Sequence, residues 1–534
     1  MNRHILLLVF WFVGAALVYA EYCYFWQLKW YRIDRFRDYL GTTQGRYLLN
    51  NRYVIARTLI SIVLFAWVPF NHEIVLYSIG AIFFLDIVHI IWRKYRGLYR
   101  RPTISLKALL IIASAISTEY ILYRVTRDWV FILLISALRL YVLSLIVIGI
   151  NWTTNQIKHI YFTRAERKLQ KYPKLIKIGI TGSYGKTSVK ELLSQVLSHS
   201  YRVASTPKNI NSDIGISKFI LSTDFSNIDV CIVEMGAYNK GDITLVCDIV
   251  HPTIGILTAI NQQHLSLFGS IENIQTTKYE LLRSIPKMGV SITNADNRLC
   301  MQYVGDLEST VYTFGSEPEN SPTCLVEWSK QKDEKLQIHY KLQLDQPEEK
   351  IEVEPSVIGE HQAMNIASCI LAAKAIGMPT EKIISAVNEL KQPEQSIKIY
   401  SFGKATVIDD SYNSNPDGFK AALQLLSSFP SIRKRIVITR GMQELGSESS
   451  GLHEIIGNEI SFLADELVII TPDFAADLKR GILEKYHTTT KEIFDIEELV
   501  NFIKNLKDED VVILLENRVP DQVHSVLMST ARHL

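Results

Sequence analysis

Five apolar stretches fill the first 150 residues, at about 4–20, 54–71, 73–92, 104–123 and 129–150. Each approaches the roughly 20 residues that a helix needs to cross a bilayer. They predict a helical transmembrane domain over residues 1–150 with about five spans. The first stretch reads as an uncleaved anchor, because no small-residue cleavage site precedes the aromatic and basic YCYFWQLKWYR.

Basic residues between the stretches predict an orientation. Lys29, Arg32, Arg35, Arg37, Arg46 and Arg52 follow the first stretch, and Arg93, Lys94, Arg96, Arg100 and Arg101 follow the third. Lys158, Arg164, Arg167 and Lys168 follow the fifth. These segments alternate so as to share one side, the cytoplasm, with the N-terminus outside. The connection near Asn71 lacks Lys and Arg, and the one near Arg124 and Arg127 is mildly basic. Charges within or near the spans are costly and often functional. Arg57 and Lys107 are expected to snorkel to the interface, Asp86 to pair with a neighbour, and Glu119 to lie within a span. Arg139, near mid-span, is a candidate contact for substrate or partner.

Beyond residue 150 the composition changes to that of an ordinary α/β chain. The total of 534 residues suits about three folding units. The net charge of +2 conceals basic clusters that flank apolar spans, so no nucleic-acid partner is expected. Cys23, Cys231, Cys247, Cys300, Cys324 and Cys369 lie far apart without a CxxC pair, which predicts reduced, mostly buried thiols.

Residues 151–175 read as a basic juxtamembrane linker. KLIKIGITG then reads as a buried strand, and KTSVKELLSQVLS as a helix with Val189, Leu192, Leu193, Val196 and Leu197 on one face. Between them stands TGxxGKTS, Thr181 to Ser188, with Ile180 where a strict phosphate loop has glycine. GKT alone is a weak signal. Strand, glycine loop and helix in series supply backbone N–H groups, a positive helix end and a lysine for phosphates. Thr181, Gly182, Ser183, Gly185, Lys186, Thr187 and Ser188 are the expected cradle. Lys186 would hold the β/γ phosphates of ATP, and Thr187 would offer its hydroxyl to Mg²⁺. Glu234 ends the apolar run DVCIVEM at a strand's C-terminal edge, where a second magnesium ligand belongs.

GITGSYGKTSVKEL resembles the phosphate loop of the Mur ligases, the ATP-dependent amide ligases of peptidoglycan synthesis. The resemblance continues through TPKNINSDIG (206–215), VEMGAYNKGDI (233–243), TAINQQHLSLFGSIENIQTTKYEL (258–281), NADN (294–297), GEHQAMNIASCILAAKAIG (359–377) and IDDSYNSNPDGFKAAL (408–423). Motif order and rough spacing suit the branch that adds D-alanyl-D-alanine to a UDP-muramoyl tripeptide. The resemblance implies a Mur-type phosphate-loop ATPase domain over 176–392 and a C-terminal Rossmann-like domain over 393–534. The fold class expected is thus α/β behind a helical transmembrane bundle, with a short β-rich insertion at about 322–356. It also implies that His264 coordinates magnesium and that Asn294 and Asn365 contact the nucleotide, Asn365 at the adenine. Asp410 would take the ribose, and Asn413 would face the phosphates. Lys278 reads from its surroundings as a solvated helical lysine, whereas the resemblance implies a carbamylated lysine that helps hold a second magnesium.

Three departures stand out. The domain that normally grips the UDP end of the substrate has no room between the bundle and the loop. Ser396 stands where a linker arginine is expected. The family's LGDMLELG appears as TRGMQELG (439–446), and its KGSR as LENR (515–518). The chain is therefore expected to be a multi-pass protein of the bacterial plasma (inner) membrane with cytoplasmic catalytic domains. It would activate the carboxylate of a cell-envelope glycopeptide or polymer precursor, lipid-linked or not, as an acyl phosphate for an amino-acid or dipeptide amine. The rival readings are the orthodox D-alanyl-D-alanine-adding ligase with an added anchor, and a non-catalytic scaffold that binds ATP.

Overall fold

A computed structural model describes residues 3–41, 45–46, 48, 52–67, 72–96, 98–332, 335–344, 348–394, 396–411, 415–430, 432–443, 445–483, 486–529 and 532–533. Asn71 and Asn413, and the side chains of Arg35 and Arg52, lie outside the described residues. The chain forms two compact units, Met1–Ile160 and Tyr161–Leu534.

Helices in the first unit run Arg3–Leu28, Ile33–Gly41, Arg52–Trp67, His72–Tyr95, Leu106–Thr126 and Trp129–Ala137, and Arg139–Leu169 continues into the second. Among the described residues, four helices are long and apolar enough to cross a membrane: His4–Leu28, Glu73–Tyr95, Leu106–Thr126 and Arg139–Leu169. The stretch expected at 54–71 yields only a shorter apolar helix, Tyr53–Leu64. The stretch expected at 129–150 is broken at Leu138. The short helix still joins opposite ends of the unit. Gln27 exchanges hydrogen bonds with the Thr103 backbone at 3.1 and 2.7 Å, so the chain after Leu28 and the chain before Leu106 share one end. Helix His72–Tyr95 leads into that end and therefore starts at the other, and Arg52–Trp67 runs between them.

Burying a charge is costly unless it is paired, and the unit's interior charges are paired. Arg57 does not snorkel; it is buried 2.9 Å from Asp86, and Tyr53 Oη donates to the same carboxylate at 2.8 Å. Arg93 binds Glu21 through two hydrogen bonds of 2.6 and 2.7 Å. Arg139 meets Glu119 at 2.9 and 3.0 Å, and Trp11 Nε1 and Tyr19 Oη donate to the same carboxylate at 2.6 Å. Its guanidinium is thus committed to the bundle interior, not to an outside contact.

The second unit opens inside a helix. The expected linker is helical as far as Leu169, and Phe162, Ala165 and Leu169 pack into a core with Ile216, Val233 and Leu257. The strands that follow are β1 (Ile176–Thr181), β2 (Val203–Ser205), β3 (Val230–Glu234), β4 (Ile254–Leu257), β5 (Val290–Asn294), β6 (Thr310–Gly315), β7 (Cys324–Lys332), β8 (Lys335–Leu342) and β9 (Glu349–Val353). They form one sheet in the order β2-β3-β1-β4-β5-β6-β7-β8-β9. Strands β1 to β6 are parallel, and their continuous apolar runs suit a sheet covered on both faces. β7 to β9, the expected insertion, pair antiparallel and lengthen the sheet.

A second sheet holds β10 (Lys398–Phe402), β11 (Ala405–Asp410), β12 (Lys434–Thr439), β13 (Glu466–Ile469), β14 (Thr489–Glu492), β15 (Val511–Glu516) and β16 (Arg532–His533). Its order is β14-β13-β12-β15-β11-β10-β16, with β11 to β15 parallel. The described cysteines are free and buried, as expected.

The core role of the leading helix can be tested by truncation. Burying Phe162 and Leu169 contributes ~1.5–3 kcal/mol each, so a fragment starting at Tyr161 should be ~3–6 kcal/mol more stable than one starting at Lys174. Urea denaturation measures this; equal midpoints would mean the segment is not part of the core.

Candidate active site

β1 lies between β3 and β4, where the sheet's connections diverge, so a crevice opens beyond its C-terminal end. The phosphate loop fills that position. Gly185, at φ 79°, caps the helix Lys186–Ser198 in the left-handed region that glycine adopts freely. A Cβ there would also meet Asn365 Oδ1 at 3.1 Å. The first N–H groups of the helix have no intrahelical acceptor and face the loop.

Lys186 is folded onto its own loop, donating to Gly182 O at 2.7 Å and Ser183 O at 3.1 Å. Burial lowers its pKa, and the Glu234 charge opposes the shift. Thr187 Oγ1 lies 3.1 Å from both Glu234 oxygens, Lys190 Nζ lies 3.1 Å from Oε2, and Asn211 Nδ2 donates to Oε1 at 3.2 Å. Hydroxyl and carboxylate oxygens so placed are the hard donors that Mg²⁺ takes. Not every expected cradle residue offers its side chain. Thr181 Oγ1 donates to Met235 O at 2.9 Å, and Ser183 Oγ accepts from Asn261 N at 3.0 Å.

Lys278 is not a solvated helical lysine. Helix Ile271–Arg283 buries Ile274, Thr277, Lys278 and Leu281, and Lys278 is only 4% exposed. Burial lowers its pKa to about 7, and the Lys186 charge pushes the same way. At neutral pH a large share of this amine is therefore unprotonated.

A cavity of about 260 Å³ adjoins the loop. Gly185, Ser188, Asn294, Asn365 and Asp410 line it together, as the sequence led us to expect, and His361, Ser396, Asn415 and Asp417 complete it. Asn365 Nδ2 donates to Gln362 Oε1 at 2.9 Å, and Asn294 Oδ1 accepts from Asp296 N at 2.9 Å. Burial lowers the His361 pKa to about 4, so its ring is neutral. The two sheets meet across this cavity, where Asn261 Nδ2 donates to Asp417 Oδ2 at 2.7 Å. Asp410 stands in register beside Glu516, whose pKa is pushed well up by burial and by that neighbouring carboxyl.

His264 is placed elsewhere. It lines a second cavity of about 580 Å³ with Arg440, Asn517, Arg518 and His524, and packs edge-on against Tyr238. Among the described residues no three His, Cys, Asp or Glu side chains are gathered for a metal. Arg440 Nε is buried there without a hydrogen-bond partner. Lys190, Asn211, Asn261, Arg440 and Arg518 were missed as site residues. Position gave a signal for two of them: Arg440 follows β12 and Arg518 follows β15, both at strand C-terminal ends.

Residues 180–373 match the Mur ligase middle domain, and residues 397–515 the Mur ligase glutamate ligase domain. Relatives include the UDP-N-acetylmuramoyl-tripeptide–D-alanyl-D-alanine ligases of Synechocystis and Bacillus subtilis. The first is 30% identical over 55% of this chain and 62% of its own length. The second is 27% identical over 66% and 76%. The chain thus spans about three fifths of the first relative. Among solved structures, MurF of Acinetobacter baumannii aligns with a TM-score of 0.61 at 22% identity, over 70% of this chain and 80% of that one. The MurF ligase of Thermotoga maritima, solved with ADP, aligns at 0.60 and 21%, over 70% and 84%. At these identities the structures establish the fold, an α/β pair of domains behind apolar helices.

Lys186→Ala should lower ATP turnover about a hundredfold or more, because the lysine faces transferring phosphates, while circular dichroism stays unchanged. Undiminished turnover in the folded variant would remove Lys186 from the reaction.

Proposed function

Since the chain carries the middle and C-terminal domains of the Mur ligase family, we propose that it is an ATP-dependent ligase. It joins an amine to the carboxylate of a peptidoglycan precursor. The relatives favour the D-alanyl-D-alanine-adding reaction on a UDP-muramoyl tripeptide, with the helical unit as membrane anchor, over a reaction defined by a lipid-linked acceptor. The observation that carries the reading is the cluster of Lys186, Thr187 and Glu234 beside a cavity lined by Asn294, Asn365 and Asp410.

ATP lies along the loop, with its phosphates on the helix N-terminus and Lys186, and its nucleoside in the cavity of Asn365 and Asp410. Magnesium is held by Thr187, Glu234 and a carbamylated Lys278, and it neutralises charge on the transferring phosphoryl group. Carbamylation needs an unprotonated amine, which the depressed pKa of Lys278 supplies. The modification also turns a repulsion from Lys186 into an attraction. His264 lies at the edge of the second cavity, and a role as magnesium ligand requires the two sheets to shift on binding. The substrate carboxylate attacks the γ-phosphorus, ADP leaves, and the incoming amine displaces phosphate from the acyl carbon. Arg440 and Arg518 sit where they can hold the carboxylate of that amine substrate.

The helical unit crosses the membrane with its catalytic continuation in the cytosol, where ATP is available. The end-to-end course of helix Arg52–Trp67 gives an odd number of crossings and puts the basic loops on one side.

The direct test combines the full-length protein with ATP, UDP-muramoyl tripeptide and D-alanyl-D-alanine. Ligated pentapeptide with stoichiometric ADP is expected. ATP bound but never hydrolysed with any amine would favour a scaffold instead.

Lys278 predicts a pH dependence. Its amine is protonated below about pH 7, so carbamate formation and activity should fall as pH drops through that value and recover with bicarbonate above it. Lys278→Ala should be nearly inactive and partly rescued by short carboxylates. Full activity of that variant would return Lys278 to a packing role.

A further inference from the structure

At the shared end of the helical unit, the segments after the first, third and last apolar helices meet around an open cavity of about 580 Å³. Arg32, Arg37, Lys107 and Lys158 line it, and none of its described lining residues is Asp or Glu. The interior charges of the same unit are matched by carboxylates, as Arg57, Arg93 and Arg139 show. This end is the exception.

The cavity is built rather than incidental. Lys107 Nζ donates to Asn151 Oδ1 at 2.9 Å and lies 4.6 Å over the Tyr31 ring. Asn151 Nδ2 donates to Tyr31 O at 2.6 Å, fixing the lysine between two segments. Trp30 and Tyr31 both adopt φ 58°, a left-handed conformation that two successive bulky residues adopt only under constraint. Trp30 is 71% exposed and Ile33 is 51% exposed at the rim. Aromatic and apolar groups at the end of a membrane helix lie at the headgroup level.

We propose that this pocket binds the phosphate or pyrophosphate of an anionic headgroup. The arginines offer planar forks to phosphate oxygens, the lysines offer point charges, and Trp30 and Ile33 lie against the adjoining lipid chain. The inference deepens the ligase reading, because it gives a phosphate-bearing precursor a holding site on the helical unit. It rests on that reading only for the ligand's status as substrate.

The test uses the full-length protein in phosphatidylcholine nanodiscs, with ADP and Mg²⁺ filling the nucleotide site. One probe is a long-chain isoprenyl pyrophosphate doped into the disc, and the other is inorganic pyrophosphate. Arg37→Gln and Lys158→Gln should each weaken binding about tenfold, and the pair about a hundredfold. Binding of the lipid alone identifies a membrane headgroup, and equal binding of both probes identifies the phosphate group irrespective of its tail. Unchanged binding in the double variant, or no binding of either probe by the parent protein, overturns the proposal. ADP binding in the same discs separates the two readings: retained ADP with no headgroup bound sinks the pocket and leaves the ligase intact.

Discussion

The Glu234 carboxylate is 3% exposed and gathers donors from three segments: Thr187 and Lys190 from the phosphate-loop helix, and Asn211 from the loop after β2. A buried carboxylate without partners would cost several kcal/mol, so those segments must stay where the carboxylate needs them. Its own backbone N–H is held by Thr206 Oγ1 at 3.1 Å, which fixes the strand end. The result is a rigid corner whose charge is balanced before any cation arrives. Lys190 supplies that balance, and Lys186 is left to turn from its loop carbonyls towards phosphate.

Much of this was legible in the sequence. The strand, loop and helix around TGxxGKTS follow from period and glycine placement, and both sheets follow from alternating apolar runs and helical patterns. Lys278 was misjudged for an instructive reason. Lys278 lies four residues after Ile274 and three before Leu281, on the same helical stripe, and all three are buried. The spacing was visible, but residue type outweighed it. His264 was placed by motif, and motif does not report how far apart two domains hold their ligands.

The helical unit shows the opposite limit. Apolar length located its helices, yet nothing in the sequence joins Arg57 to Asp86 or Arg139 to Glu119, because helix pairing is tertiary. The break at Leu138 was also hidden, since an apolar run of constant character gives no sign of where its hydrogen bonding lapses. Charge alone predicted snorkelling for Arg57, and a carboxylate on the neighbouring helix made burial cheaper.

The hydrogen bond from Asn261 to Asp417 links the two sheets across the nucleotide cavity. A charge-assisted bond of this kind is worth about 1.5–3 kcal/mol, small enough to break and reform within each catalytic cycle. Because Asp417 lines the cavity itself, the cleft cannot widen for spent nucleotide without stretching that bond. Domain opening of this sort takes microseconds to milliseconds. The latch thus gives the enzyme a clock separate from its chemistry, and the residence time of ADP is set by a pair of side chains that touch no reacting atom.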